Sequence, residues 1–254
     1  MHHSYLDKYA RGTTAIHGLD ARVKVLFSFA FIILIASLRA SGFEFYLACL
    51  TLIAVCLIAA RIPTVYLLTR SIVVIPFAGF AAISYMLTRT GGTTYWHSGP
   101  FAITSEGLID ASHLLARSWL AVSCMIILVN TTPFDQILKA FRTFRLHSIL
   151  IMLLSFFYRY LYLLWDESER MQRARNLRYF GGKPEKQFAM LGHLVSSLFL
   201  RTYERTERVQ MSMLSRGWDG SAAHVKLKPF TLQNVLNLVI GFSLLIILWW
   251  ISTW

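Results

Sequence analysis

Residues 166–182 read DESERMQRARNLRYFGG and residues 201–220 read RTYERTERVQMSMLSRGWDG, with an apolar middle between them. The two stretches share a short echo. Glu169-Arg170-Met171-Gln172 and Glu207-Arg208-Val209-Gln210 agree at three of four positions with an offset of 38, and six residues beyond each glutamine stands an arginine, Arg178 and Arg216. The echo is too short for a solenoid unit and reads as one device used twice. Gly181-Gly182 follows the first arginine and Gly217 the second, and glycine is the usual residue just past a helix end. Each arginine is therefore expected in the last turn of a long helix. A cation there complements the helix dipole by about 0.3–1 kcal/mol, which is enough to account for a single arginine. Two copies with the same upstream residues point to more: a pair of rigid rods, each offering at its tip a guanidinium whose planar fork suits carboxylates on a docking partner.

The surroundings of these rods are those of a membrane protein. The chain has 254 residues, 56% hydrophobic and only 15% charged, whereas soluble domains carry about 25% charged residues; the mean hydropathy is +0.51. The apolar residues come in runs: about 25–38, 43–60, 64–87 (with Arg70 near its start and Pro76 inside), 108–130 and 231–250. Each is near the roughly 20 residues that cross a bilayer. Arg61-Ile62-Pro63 ends the second run, residues 88–104 form a Thr/Gly-rich loop, and Trp249, Trp250 and Trp254 cluster at the end of the last run, where indoles favour the interface. The net charge of +12 is concentrated rather than spread, which fits a cytoplasmic membrane face better than nucleic acid. Residues 131–229 hold 16 Lys/Arg and 8 Asp/Glu, against 9 and 5 in the rest of the chain.

The expected fold is thus all-α, a polytopic membrane protein with about five transmembrane helices. It comprises a cytoplasmic N-terminal segment (1–24), four spans (25–130), a cytoplasmic coupling block of long helices (131–229) and a last span (230–254). Thr132-Pro133 opens an amphipathic helix with Phe134, Ile137, Leu138, Phe141 and Phe144 on one side. Residues 147–165 are long enough to span, but basic sequence lies on both sides. The preferred reading is a membrane-proximal helix continuing outward through 166–180. The two rods would have apolar bases able to bury each other, and about 32 residues at 1.5 Å each reach about 48 Å. The polar, basic N-terminus shows no removable signal peptide.

Catalytic signatures are sparse. The sequence has no Walker A motif, no His-Glu-x-x-His and no Gly-x-Ser-x-Gly. Cys49, Cys56 and Cys124 lie in apolar runs without a Cys-x-x-Cys pair, so neither disulfides nor a thiolate metal site is expected. His2-His3 reads as a solvated tail, since a specific metal site needs three or four convergent ligands. Asp110, His113 and Arg117 fall on one side of the fourth run. They are either an inter-helix polar network or a functional centre, and the latter keeps open a membrane-embedded enzyme or a self-contained carrier.

Several motifs in order resemble one family. Leu19-Asp20-Ala21-Arg22-Val23-Lys24, preceded by His17, is similar to the Leu-Asp-Pro-Arg-x-Lys signature of the transmembrane (T) components of energy-coupling-factor (ECF) transporters, with Ala21 where that family usually has proline. Thr131-Thr132-Pro133 and the helix after it resemble the family's first coupling helix, and Tyr158-Arg159-Tyr160 its Tyr-Arg-aromatic stretch. Ser215-Arg216-Gly217 resembles the second of two X-Arg-X motifs. The first is Leu177-Arg178-Tyr179 by the internal echo, with Ala174-Arg175-Asn176, and so Arg175, as the alternative. Leu6-Asp7-Lys8-Tyr9-Ala10 with Ile16-His17 is similar to the cobalt-type CbiQ branch. The resemblance implies a non-catalytic scaffold in the cell (inner or plasma) membrane. Its arginine tips would dock on a CbiO-like dimer of ABC-type ATPases, which would bind the ATP-Mg; no cofactor is expected in this chain. A CbiM-like substrate-specific subunit, with a small CbiN-like accessory subunit as a further partner, would bind the cobalt or nickel ion.

Overall fold

The computed structural model describes residues 9–10, 12–37, 42–88, 91, 93–98, 101–178, 184–219 and 231–253. His2-His3, Tyr179, Gly181-Gly182 and Trp254 lie outside the described residues. The elements are α1 (Ala15–Gly18), α2 (Ala21–Ser37), α3 (Phe43–Ala60), α4 (Thr64–Ser71), α5 (Val74–Thr88), β1 (Thr94–Ser98), β2 (Phe101–Thr104), α6 (Ser105–Thr131), α7 (Phe134–Thr143), α8 (Ser148–Arg178), α9 (Pro184–Ser215) and α10 (Leu232–Thr253). The architecture is all-α apart from one antiparallel hairpin, β1–β2, which occupies the expected Thr/Gly-rich loop. Two compact units divide the chain, residues 1–140 with 228–254, and residues 141–227.

In the first unit α6 packs against α2, α3, α4 and α5, and α10 packs against α2 and α3. Phe31 and Ile35 of α2, Phe45, Cys49, Ile53 and Leu57 of α3, Leu120 and Cys124 of α6, and Leu245 and Leu248 of α10 share one buried cluster. The α3 residues recur every fourth position, the stripe one face of a helix presents. The opposite face is equally apolar yet open: Val55 and Ile58 are 63% and 73% exposed, as helices facing lipid are.

Local chemistry sets the breaks. Arg61 caps α3 in the left-handed conformation at φ 54°, and Pro63 then keeps Ile62 out of the helical region. The expected 64–87 run is broken into α4 and α5, bent by 48°. Pro76 explains this: it lacks an N–H and its ring crowds the carbonyl four residues back, at Ile72. Thr104 caps α6 by accepting from the Gly107 amide at 3.2 Å. Gly107 itself lies against α5; a Cβ there would meet the Met86 carbonyl oxygen at 2.9 Å.

Among the described residues, four helices are long and apolar enough to cross a bilayer: α3, α6, α8 over Ser148–Leu177, and α10; the bent α4–α5 pair makes a fifth. This set differs from the expected five in two ways. The first apolar run lies in α2, whose described part, Ala21–Ser37, is 17 residues long and carries Arg22 and Lys24 in its first turn. The segment 147–165, expected to lie beside the membrane, is long and apolar enough to span.

Candidate coupling site at the ends of two long helices

The second unit is built from two rods. α8 runs 31 residues and α9 runs 32, about 46 and 48 Å at 1.5 Å per residue. The expected continuity of 148 into the charged segment is therefore found. Pro184 opens α9, where the missing N–H costs nothing.

The tip of α9 is well defined. Ser215 is its last residue, and its hydroxyl donates to the Met211 carbonyl at 2.8 Å. Gly217, at φ 78°, donates its amide to the Leu214 carbonyl at 2.9 Å, and Trp218 donates to the Met213 carbonyl at 3.0 Å. These are the two bonds of a Schellman turn, whose left-handed position glycine enters without a Cβ penalty. The turn leaves Arg216 at the cap itself, exposed, with no side-chain hydrogen bond or ion pair among the described residues. Its five donors are available to an outside acceptor.

The tip of α8 is less free. Leu177 is 83% exposed. Arg178 is the last residue of α8; its side chain lies outside the described residues. Arg175, the alternative, turns back on its neighbour: its Nε and Nη2 donate to the Asn176 side-chain oxygen at 3.2 and 3.0 Å. Arg178 is thus the last residue of α8 and Arg216 the residue after α9, while Arg175 has a local partner.

Sequence reasoning missed the contact that joins the rods. Glu167 accepts from Arg170 of its own helix at 3.0 Å and from Arg201 of α9 at 2.7 Å. Glu167 lies past the apolar stretch 148–165, and the hydrogen bond from Arg201 holds its carboxyl below the usual glutamate value. Two oppositely charged residues 34 positions apart carry no local signal, so periodicity could not have found them. The echo does not extend to the ion pairs: Glu169 pairs with Arg173, whereas Arg208 pairs back to Glu204. The apolar bases do not bury each other as expected. Phe157 and Trp165 of α8, and Phe188 and Phe199 of α9, are each more than 60% exposed. The rods meet instead around Glu167, Met171, His193 and Arg201.

The other candidates are structural. His113 Nδ1 lies 2.8 Å from the Tyr46 hydroxyl and Arg117 Nε donates to the same oxygen at 3.2 Å, so this seam ties α6 to α3. The Leu19–Lys24 stretch is a three-way tie. Asp20 accepts from the Arg22 amide at 2.9 Å and from the Asn234 side chain of α10 at 3.0 Å. Lys24 is buried and donates to the Thr131 carbonyl at the end of α6 at 2.9 Å. The three cysteines are free.

A family model described as a cobalt transport protein, CbiQ, matches residues 12–227. The chain belongs to the CbiQ family. It is therefore a multi-pass membrane component of an ECF-type transporter, a T component, and not an enzyme; the reading of Asp110, His113 and Arg117 as a catalytic centre is set aside. An uncharacterized protein of Methanocaldococcus jannaschii is 30% identical over 57% of this chain, which spans about half (51%) of that relative's length. A fused cobalt transport protein CbiMQ of Methanocorpusculum labreanum is 28% identical over 87% of this chain and 38% of its own length. The energy-coupling factor transporter transmembrane protein EcfT 1 of Listeria monocytogenes is 24% identical over 88% of this chain and 87% of its own. The CbiQ match spans both arginine tips and stops short of α10.

Proposed function

We propose that this CbiQ-family chain is the scaffold of an ECF-type ABC importer, converting ATP hydrolysis by a partner ATPase dimer into uptake of cobalt or nickel through a separate substrate-specific membrane subunit. One observation carries the reading: two unbroken helices of 31 and 32 residues, the first with Arg178 as its last residue and the second followed at once by Arg216, exposed on a Schellman turn. A rod transmits force only if it is stiff and anchored at its tip. An α-helix is stiff along its axis, and an arginine docked in a carboxylate-lined groove supplies a bidentate anchor. In this reading the tips face the cytoplasm, where the ATPases hold the ATP-Mg, and the chain itself needs no cofactor. The metal is held by the CbiM-like subunit, with a CbiN-like subunit beside it. The name of the fused CbiMQ relative supports a CbiM-like neighbour. The exposed aromatic bases of α8 and α9 are apolar surface of the kind that a membrane subunit or lipid covers.

The test is co-purification from native membranes with mass spectrometry of the captured proteins. The expected result is an ABC ATPase and a small membrane subunit retained by the parent chain, with the ATPase lost from the Arg178→Ala/Arg216→Ala double variant while membrane insertion is kept. Retention of the ATPase and of metal uptake in that variant would sink the proposal.

A further inference from the structure

Within the first unit, α2, α3, α6 and α10 do not close completely. They leave a half-open pocket of about 270 Å³, walled by side chains such as Phe27, Phe31, Leu52, Ile127 and Leu244, and overwhelmingly apolar. An engineered apolar cavity of about 150 Å³ stays dry and takes up benzene; this one is nearly twice that size, in a protein whose solvent is hydrocarbon. Lys24, Ser28, Thr131 and Asn237 break the apolar wall, and of these Lys24 and Asn237 carry N–H donors. Lys24 lines the cavity and is only 7% exposed. Its ammonium donates to the Thr131 carbonyl at 2.9 Å and, at a longer 3.4 Å, to the His17 carbonyl. An ammonium has three donors, so one remains unspent. Asn237 lines the same cavity, and its side-chain amide makes no hydrogen bond among the described residues. The Asp20–Asn234 hydrogen bond joins the starts of α2 and α10, and Lys24 and Asn237 lie about one turn further along each helix. Lys24 is buried and Asn237 half-buried, and both present N–H donors to the one pocket.

We infer that this cavity is a binding site for an acyl chain with an anionic head, the chain filling the apolar space and its carboxylate or phosphate oxygen accepting from Lys24 and Asn237. The shape, the charge and the unspent donors each call for one part of such an amphiphile. A neutral hydrocarbon would offer no acceptor to the third Lys24 donor or to the Asn237 amide, and water would find few partners along the wall. The site is separate from the arginine tips and does not depend on the coupling role proposed for them.

The test uses the full chain in a maltoside micelle, photolabelled with a palmitate analogue carrying a mid-chain diazirine, with adducts mapped by peptide mass spectrometry. The expected result is labelling concentrated on α2, α3, α6 and α10 peptides that line the cavity, and suppressed at least tenfold by an excess of unlabelled competitor. Palmitate as the effective competitor assigns a free fatty acid, and phosphatidylglycerol as the effective competitor assigns a bilayer phospholipid; either supports the site. Hexadecanol competing as well as palmitate overturns the anionic head. Lys24→Met should weaken palmitate labelling severalfold while leaving a diazirine-hexadecanol control unchanged. Since Lys24→Met also strands the Thr131 carbonyl, Cys56→Leu and Cys56→Phe serve as cavity-filling variants that retain Lys24. Both should reduce labelling in order of added volume without lowering the melting temperature. Labelling spread over exposed apolar positions such as Val55, Ile58 and Phe77, or labelling indifferent to Cys56→Phe, overturns the proposal.

Discussion

Each helix of the first unit that joins its core hides a stripe of side chains, while α8 and α9, the two longest helices in the second unit, bury none of their described residues. α3 tucks Phe45, Cys49, Ile53 and Leu57 inside. α8 leaves Ile149, Leu153, Phe157 and Trp165 more than half exposed. Both helices are apolar enough to cross a membrane, so composition does not separate them; the neighbours do. The first unit carries its own packing energy, whereas the second is joined by the Glu167–Arg201 ion pair and a narrow contact among its described residues, and leaves its apolar surface and its Arg216 tip for something outside the chain. A part that must move against partners gains from weak internal ties, since low-stability elements are the ones recruited for motion.

Substitutions can break that contrast. Phe31→Ala, at 1% exposure in the core, should cost about 3–5 kcal/mol, seen as a large fall in the melting temperature of the detergent-solubilised chain. A fall no greater than that of a surface variant would remove the claim that the first unit is self-supporting. Next in size, the Arg178→Ala/Arg216→Ala pair should weaken ATPase affinity by about 2–5 kcal/mol if the tips dock into desolvated carboxylates, with the melting temperature unchanged. A matched loss of fold stability would mean that the tips are structural.

Tyr46→Phe removes the hydroxyl shared by His113 and Arg117 and should destabilise the first unit by about 1–3 kcal/mol. ATPase binding should stay as in the parent, which sharpens the division of labour. The smallest effect belongs to Glu167→Gln. An exposed ion pair contributes about 0.2–1 kcal/mol, so the fold should persist while the Glu167–Arg201 tie loosens. Because Arg201 lowers the Glu167 carboxyl below its ordinary value, the tie is fully present above the unfolded glutamate range. It is lost as pH falls through the lowered native value. A spin-label distance between α8 and α9 that stays constant from pH 7 to pH 3 would count against the tie.

How much was legible in the sequence follows from what each feature depends on. The bounds of α3 match the apolar run 43–60 because Gly42 and Arg61-Ile62-Pro63 punctuate it locally. The Schellman end of α9 was legible for the same reason: Gly217 is the residue such a turn requires. The break at Ile72–Val73 was foreshadowed by Pro76 but not placed, since proline is often accommodated in membrane helices when neighbours re-satisfy the backbone. The hairpin in residues 94–104 was read as loop because its strands are only five and four residues long and sit among Thr and Gly, although Tyr95, Trp96, Phe101 and Ile103 favour strands.

The inward faces were not legible. In a soluble helix polarity marks the outside, but α2, α3 and α5 are apolar all round. The sequence by itself determined the class, the end of α3, the glycine turn after Arg216 and the family, because each rests on local propensity or on residues in a fixed order. Only the tertiary structure decided that Asp20 and Lys24 tie three helix ends together, that Tyr46 serves both His113 and Arg117, and that Glu167 reaches Arg201. It also decided that Lys24 and Asn237 face one cavity. These pairings join residues 34 to 214 positions apart, and they are chosen by packing, which no local pattern encodes.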